Sequence, residues 1–263
     1  MNPFRFLYGR TLLQRPLRYI HRHVLQAMNY GPDARIDNSG ELAVLRLIRD
    51  HIEQSKPSHY RTLVVDVGAH IGMYSRAVVD IFRFGTVVIA LEPSSTAYDK
   101  LVQNVPESVV THRIALGAQA GTMPLYEEKA GSGLSSLVRR RTLEAHNRRM
   151  SITESVKVST LDALCKENNI RHVDLLKLDT EGTELNVLRG AGHMLSSNSI
   201  SVIQFEFGGC NIDTRTFFLD YWNLLSPLYD IYRVCKNGLY RIDKYDERDV
   251  EIFNLVNFVA FLR

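Results

Sequence analysis

Carboxylates at the ends of apolar runs are the feature of this 263-residue chain most suited to chemistry. Asp179, Glu181 and Glu184 follow the run Val173–Leu178, and Glu206 closes Ser201–Phe207 just before Gly208-Gly209. A carboxylate is a weak base in water, but neighbours of like charge raise its pKa until it can take a proton from a hydroxyl near neutral pH. Capping the helix that follows needs fewer acids than this cluster supplies. Asp179, Glu181 and Glu206 are therefore the candidate catalytic bases. The same oxygens would also suit Mg2+, which lowers a hydroxyl pKa. The metal-free base is the preferred reading, and no residue is assigned to a metal.

A second constellation reads Asp66-Val67-Gly68-Ala69-His70-Ile71-Gly72. Glycine at 68 and 72 permits positive φ and close approach of a ligand to the backbone, and the free N–H groups of a following helix point into the same space. The acid two residues before Gly68 suits a ligand that presents an amine. Glu92-Pro93 ends a third apolar run, Thr86–Leu91. An acid at the tip of the second strand of a doubly wound sheet accepts both ribose hydroxyls of an adenosine. Asp66, Gly68, Ala69, His70, Gly72, Glu92 and Pro93 are thus candidate cofactor-binding residues. A nicotinamide or flavin fingerprint, G-x-G-x-x-G, is absent.

These residues need strands that deliver them to one rim. The runs beginning at Leu63, Thr86, Val109 (to Leu116), Val173 and Ser201 read as strands, the one at Thr86 with the fully apolar character of a parallel strand, and helical spacing separates them, as in Tyr74, Ala77, Val78 and Ile81. Further helices are expected through about Asn104, over Glu184–Leu195 and over Thr214–Leu225. Asn237-Gly238 between Ile231–Val234 and Leu239–Ile242 signals a hairpin, and Leu255–Leu262 a last strand. The rhythm breaks between Gly121 and Val158. There short strands at Leu125-Tyr126 and Val156–Val158 flank a glycine-serine loop, 131–137, and five arginines, at 139, 140, 141, 148 and 149. Such a loop beside a cleft can cover it, and the arginines suit an anionic group or form a solvated helix face with a Glu144–Arg148 pair.

Composition narrows the class. A net charge of +3 does not call for a nucleic-acid partner, and three cysteines without paired spacing argue against a zinc site or disulfide framework and for a reducing compartment. Neither an apolar run of roughly 20 residues nor a signal-type h-region is evident, so a cytoplasmic location is expected. Residues 1–32 contain five arginines and no acid. A helix starting near Pro16 would line up Leu13, Leu17, Ile20 and Val24 opposite Arg15, Arg18 and Arg22, ending at Gly31-Pro32-Asp33. It would either pack on the domain or lie on an anionic membrane. A second helix, Glu41 to Glu53, leads through Lys56-Pro57-Ser58 to the first strand.

Taken in order, Asp66-x-Gly68-x-x-x-Gly72, Glu92-Pro93, Leu176-Lys177-Leu178-Asp179-x-Glu181-Gly182-x-Glu184 and Val187-Leu188-Arg189-Gly190-Ala191 closely resemble the FkbM-type family of S-adenosylmethionine-dependent methyltransferases. The resemblance covers roughly residues 60 to 262. It implies an α/β class I methyltransferase fold: a Rossmann-like, seven-stranded, mostly parallel sheet with helices on both faces. Residues 60–263 would form this domain and residues 1–59 a helical N-terminal extension. It implies S-adenosylmethionine as cofactor, with Asp66, Gly68, His70 and Gly72 around its methionine end and Glu92 on its ribose. The reaction implied is O-methylation of a hydroxyl on a sugar, glycolipid or secondary metabolite, with an anionic or lipid-linked acceptor suggested by the arginines. A rival reading is a catalytically silent adenosine-binding module that recruits a partner through its basic N-terminus. Such a module would have no need of the carboxylate rim.

Overall fold

A computed structural model describes residues 5–31, 36–57, 59–82 and 85–263; the break expected at Pro32-Asp33 and the linker residue Ser58 lie outside these. The chain opens with helices α1 (Gln14–Ala27) and α2 (Glu41–Ser55), then alternates β1 (Leu63–Val67), α3 (Met73–Phe82), β2 (Val87–Leu91), α4 (Ser95–Asn104) and β3 (Val109–His112). An insertion follows, made of β4 (Ala115–Leu116), β5 (Gly121–Glu127), α5 (Arg141–Glu144) and β6 (Ser151–Ser159). Alternation resumes with α6 (Leu161–Glu167), β7 (Val173–Leu178), α7 (Glu184–Arg189), α8 (Gly192–Ser196) and β8 (Ile200–Phe207). The chain closes with α9 (Cys210–Thr214), α10 (Phe218–Leu225), β9 (Tyr229–Cys235), β10 (Gly238–Ile242), α11 (Glu247–Val250) and β11 (Val256–Leu262).

Among the described residues the main sheet has eight strands in the order β10-β9-β11-β8-β7-β1-β2-β3. From β3 to β8 all pairing is parallel, while β11 runs antiparallel to both neighbours. The chain steps outward from β1 to β3 and returns on the other side of β1 at β7. The carboxyl ends of β1 and β7 therefore flank the crevice where open α/β sheets bind ligands.

Successive residues of β1 serve opposite layers, as the pleat requires. Val65 and Val67 pack with Leu176, Leu178, Phe205 and Phe207 on one face, and Val64 with Leu175 and Val202 on the other. The second layer is completed by Val44, Leu45 and Ile48 of α2 and Val78 of α3, so α2 is part of the core.

The mostly parallel sheet with helices on both faces is as expected, but it has one strand more than seven. The extra strand is β10, the outer half of the hairpin, whose Leu239 packs in the same layer as α2. Three boundaries also differ. The run Val109–Leu116 divides at a tight turn in which Ile114 N–H donates to His112 C=O (3.1 Å), sending β4 into a separate sheet, β4-β6-β5. The helix expected over Thr214–Leu225 begins only at Phe218, because a separate short helix, α9, ends at Thr214 where Arg215 adopts positive φ (54°). The helix expected over Glu184–Leu195 breaks at Gly190, where the chain passes so close to Gly117 that a Cβ would lie 2.1 Å from its carbonyl oxygen.

Gly190→Ala must push one backbone segment away from another. It is expected to cost roughly 2 kcal/mol of overpacking strain, lowering the melting temperature by about 4–8 °C in a domain of this size. Differential scanning calorimetry measures this, and an unchanged transition would show that the contact is soft.

Candidate active site

The loop after β1 is shaped by backbone contacts. Gly68 has φ +83°, and a Cβ there would sit 1.8 Å from the Asp179 carbonyl oxygen, so only glycine fits. His70 takes up a left-handed conformation (φ 49°) that histidine tolerates better than most side chains. Its N–H donates to one Glu92 oxygen (2.8 Å) while Ser94 N–H donates to the other (2.8 Å), so Glu92 clamps the loop to the end of β2. Burial pushes the Glu92 carboxyl up to about 7. Asp66 is buried, accepts a 2.6 Å hydrogen bond from the Ser75 hydroxyl and is pushed by burial to about 6. Gly72 faces Leu101 and Val105 and serves the turn rather than the cavity.

At the end of β7, Glu184 turns inward and accepts from Thr180 N–H (2.8 Å) and Gly182 N–H (3.1 Å). It braces the turn instead of joining the reactive rim. That turn holds Glu181 at φ +55°, a strained conformation for a side chain of its size. Glu181 is largely buried and ion-paired to Arg140; burial outweighs the guanidinium, and its pKa rises to about 7. Glu206, at the end of β8, is 7% exposed and receives no hydrogen bond among the described residues. Burial, then the nearby Asp179 and Glu181 carboxylates, raise its pKa well above the usual range.

Asp66, Lys177 and Gln204 stand in register across β1, β7 and β8, a polar row on the face covered by α2 and α3. The buried Lys177 ammonium donates to Asp179 (3.2 Å) and Asn257 (3.2 Å) and lies 3.3 Å from Glu41 of α2. Burial alone would depress it, but Asp179, Glu41 and Glu206 outweigh burial and hold its pKa well above normal. Gln204 accepts from Tyr74 O–H (2.8 Å) and donates to Glu41 (2.9 Å), completing the network.

These groups line a cavity of about 870 Å³ that includes Asp66, Gly68, Ala69, His70, Lys177, Asp179, Glu181 and Glu206. A second cavity of about 40 Å³ adjoins it. Glu92, Pro93, Ile114, Leu116, Leu125 and Thr180 line it, and it shares Gly68, His70, Asp179 and Glu181 with the first. It is small because the glycine-serine loop fills it: His70 Nε2 bonds Gly131 C=O (3.1 Å), and Ser136 O–H donates to Glu181 C=O (3.0 Å).

The model of the Methyltransferase FkbM domain matches residues 66–236, well over half the chain. The chain belongs to the FkbM methyltransferase family. Methyltransferase sdnD of Sordaria araneosa is 29% identical over 154 residues, 48% of this chain and 59% of that protein. Hexuronic acid methyltransferase AglP of Haloferax volcanii is 25% identical over 178 residues, 65% of each. The chain thus spans about three fifths of the length of these curated relatives. The crystal structure of methyltransferase FkbM from Methylobacillus flagellatus KT is 17% identical, with a TM-score of 0.48, covering 80% of this chain and 46% of that one.

Within the family's matched region the structure brings together Asp66, Gly68, Ala69, His70, Glu92, Pro93, Asp179 and Glu181, and also Glu206. Sequence reasoning missed Lys177, Glu41, Gln204, Tyr74 and Asn257 as parts of the site. One signal was available, since a lysine inside the apolar run Val173–Leu178 is an anomaly for a doubly buried strand. The five arginines are largely engaged. Arg140 is buried against Glu181 and Asp213, Arg139 pairs with Glu144, and Arg148 pairs with Glu128 rather than Glu144.

A carboxyl whose folded-state pKa is raised binds more protons than the unfolded chain between the two pKa values, so its contribution to stability is lost as pH rises through that window. Glu206→Gln removes such a group while keeping its shape. Its melting temperature relative to the parent is expected to be little changed at pH 4.5 and several degrees higher at pH 8; an equal difference at both would show that folding does not raise the Glu206 pKa.

Proposed function

We propose that the protein is an S-adenosylmethionine-dependent O-methyltransferase acting on a hydroxyl of a sugar-like acceptor. The carrying observation is the junction of the two cavities, which puts an adenosine-type recess with Glu92 next to a polar chamber containing the Glu181 and Glu206 carboxyls. The donor set suits the cofactor. Glu92 is placed for ribose hydroxyls, Pro93, Ile114 and Leu116 for an adenine ring, and Thr180 Oγ1 is a buried hydroxyl with no partner among the described residues. Asp66 suits the amino group of the methionine end. A 40 Å³ recess holds little more than water, so binding requires the 131–137 loop to move outward.

When bound, the cofactor supplies an activated methyl group on sulfur. The chain's own part is alignment and proton transfer. Glu181, held near pH 7, has the basicity to accept the acceptor's hydroxyl proton at the operating pH. Burial and the neighbouring acids favour the protonated form of Glu206, which is placed to donate a hydrogen bond that orients the acceptor. Both cavity cations are committed, Arg140 to Glu181 and Asp213 and Lys177 to Asp179 and Glu41. That supports a neutral, polyhydroxylated acceptor over an anionic one. The grouping of Glu181 and Glu206 with the Cys210 thiol, with Glu181 already taken by Arg140, is a poor donor set for Mg2+ and favours proton chemistry. The acid rim likewise favours an enzyme over a silent module.

Calorimetry with S-adenosylhomocysteine is expected to show binding that Glu92→Ala weakens by at least tenfold, in line with loss of a charged hydrogen bond worth about 1.5–3 kcal/mol. Heat from NAD and none from S-adenosylhomocysteine would overturn the assignment.

For the chemistry, Glu181→Gln is expected to lower kcat at least tenfold with cofactor affinity within a few-fold. The readout is the gain of one methyl group, by mass spectrometry, on a panel of neutral hexosides and uronic acids. Full turnover by Glu181→Gln would place the base elsewhere, and methylation of the uronic acids alone would reject the neutral acceptor.

A further inference from the structure

Helix α1 departs from what a helix packed on a domain should show. Its apolar stripe is in solvent: Leu17, Ile20 and Val24 are 45%, 55% and 49% exposed, and Leu25 alone of the helix is buried. Arg15, Arg18 and Arg22 lie on the opposite side and are also exposed. A 14-residue helix is marginal in water without a surface to bury its apolar side. We propose that α1 docks the protein onto an anionic lipid bilayer, lying in the interface with its Leu17–Ile20–Val24 stripe among the acyl chains.

Charge chooses this occupant. Residues 1–32 carry five arginines and no acid, so the segment complements an anionic surface, whereas a second copy packed stripe to stripe would leave the same arginines facing water with no counter-charge. The anchoring of the helix to the domain gives docking a consequence. Asn29 Nδ2 donates to Ser39 C=O (2.9 Å) and Val234 C=O (3.0 Å), and Gly31 N–H donates to Leu255 C=O (2.7 Å). Leu255 lines the larger cavity. A bilayer-bound α1 therefore holds that cavity near the headgroups. No helix among the described residues is long and apolar enough to cross a membrane, so this contact is with one leaflet. The inference does not depend on the methyl-transfer reading.

Flotation of the full chain with two kinds of vesicle tests it: phosphatidylcholine alone, and phosphatidylcholine mixed with phosphatidylglycerol. The full chain is expected to float with the mixed vesicles and remain behind with the neutral ones. Leu17→Glu with Ile20→Glu should abolish flotation, and Arg15→Gln, Arg18→Gln and Arg22→Gln together should reduce partitioning at least tenfold. All five positions are exposed, so an unchanged melting temperature checks that the fold is intact. Three results would overturn the proposal. The full chain could fail to float, the Leu17/Ile20 double variant could float as well as the parent, or those substitutions could abolish a concentration-dependent dimer while vesicles capture nothing.

Discussion

A buried ammonium holds this structure together. Lys177 sits at the centre of the sheet beneath α2 and α3, with Glu41, Asp179 and Asn257 around its nitrogen and the Tyr74 ring 5.5 Å away. Taking such a charge out of water costs several kcal/mol, and the cost is met only when opposite charge and hydrogen bonds surround it. Those partners come from α2, β11 and the rim after β7, elements scattered over more than 200 residues. Helix α2 precedes the sheet in sequence, yet it is tied to the sheet's centre by Glu41 as well as by Val44, Leu45 and Ile48. The same cation neutralises Asp179, which leaves the carboxyls beside it to share less solvation.

That arrangement sorts one residue type into several roles. Glu92 accepts a backbone N–H on each oxygen and Glu184 accepts two on Oε1 alone, and the two side chains hold the loops after β2 and β7. Asp174, at the start of β7, does the same for Leu63 N–H and Tyr60 O–H at the opposite end of the sheet. Glu181 and Glu206 are left facing the cavity, and burial among other acids makes both reluctant to ionise. Environment, not identity, separates the structural carboxylates from those suited to move a proton.

The insertion between β3 and α6 completes the site from outside. Its small sheet carries the loop that reaches His70 and the segment that delivers Arg140, a buried guanidinium braced by Asp213 of α9. An element that looked like a source of surface charge instead forms a wall of the cavity.

Much of this was local enough to read from residue order. The glycine loop, the apolar strands, the hairpin and the delivery of Asp66, Glu92, Asp179, Glu181 and Glu206 to one rim all follow from alternation, glycine placement and the rule that parallel strands point the same way. What tertiary structure alone decided were relations between residues far apart. Glu184 faces inward as a brace because Thr180 and Gly182 turn their N–H groups toward it, and Arg140 is buried because Glu181, 41 residues later, waits at the rim. The helix after β7 breaks at Gly190 because Gly117 passes beside it. The stripe on α1 is exposed because no element among the described residues folds over it, and Lys177 keeps its charge because four segments converge on it. Periodicity records which face of an element is apolar; what lies against that face depends on long-range packing, which periodicity does not encode.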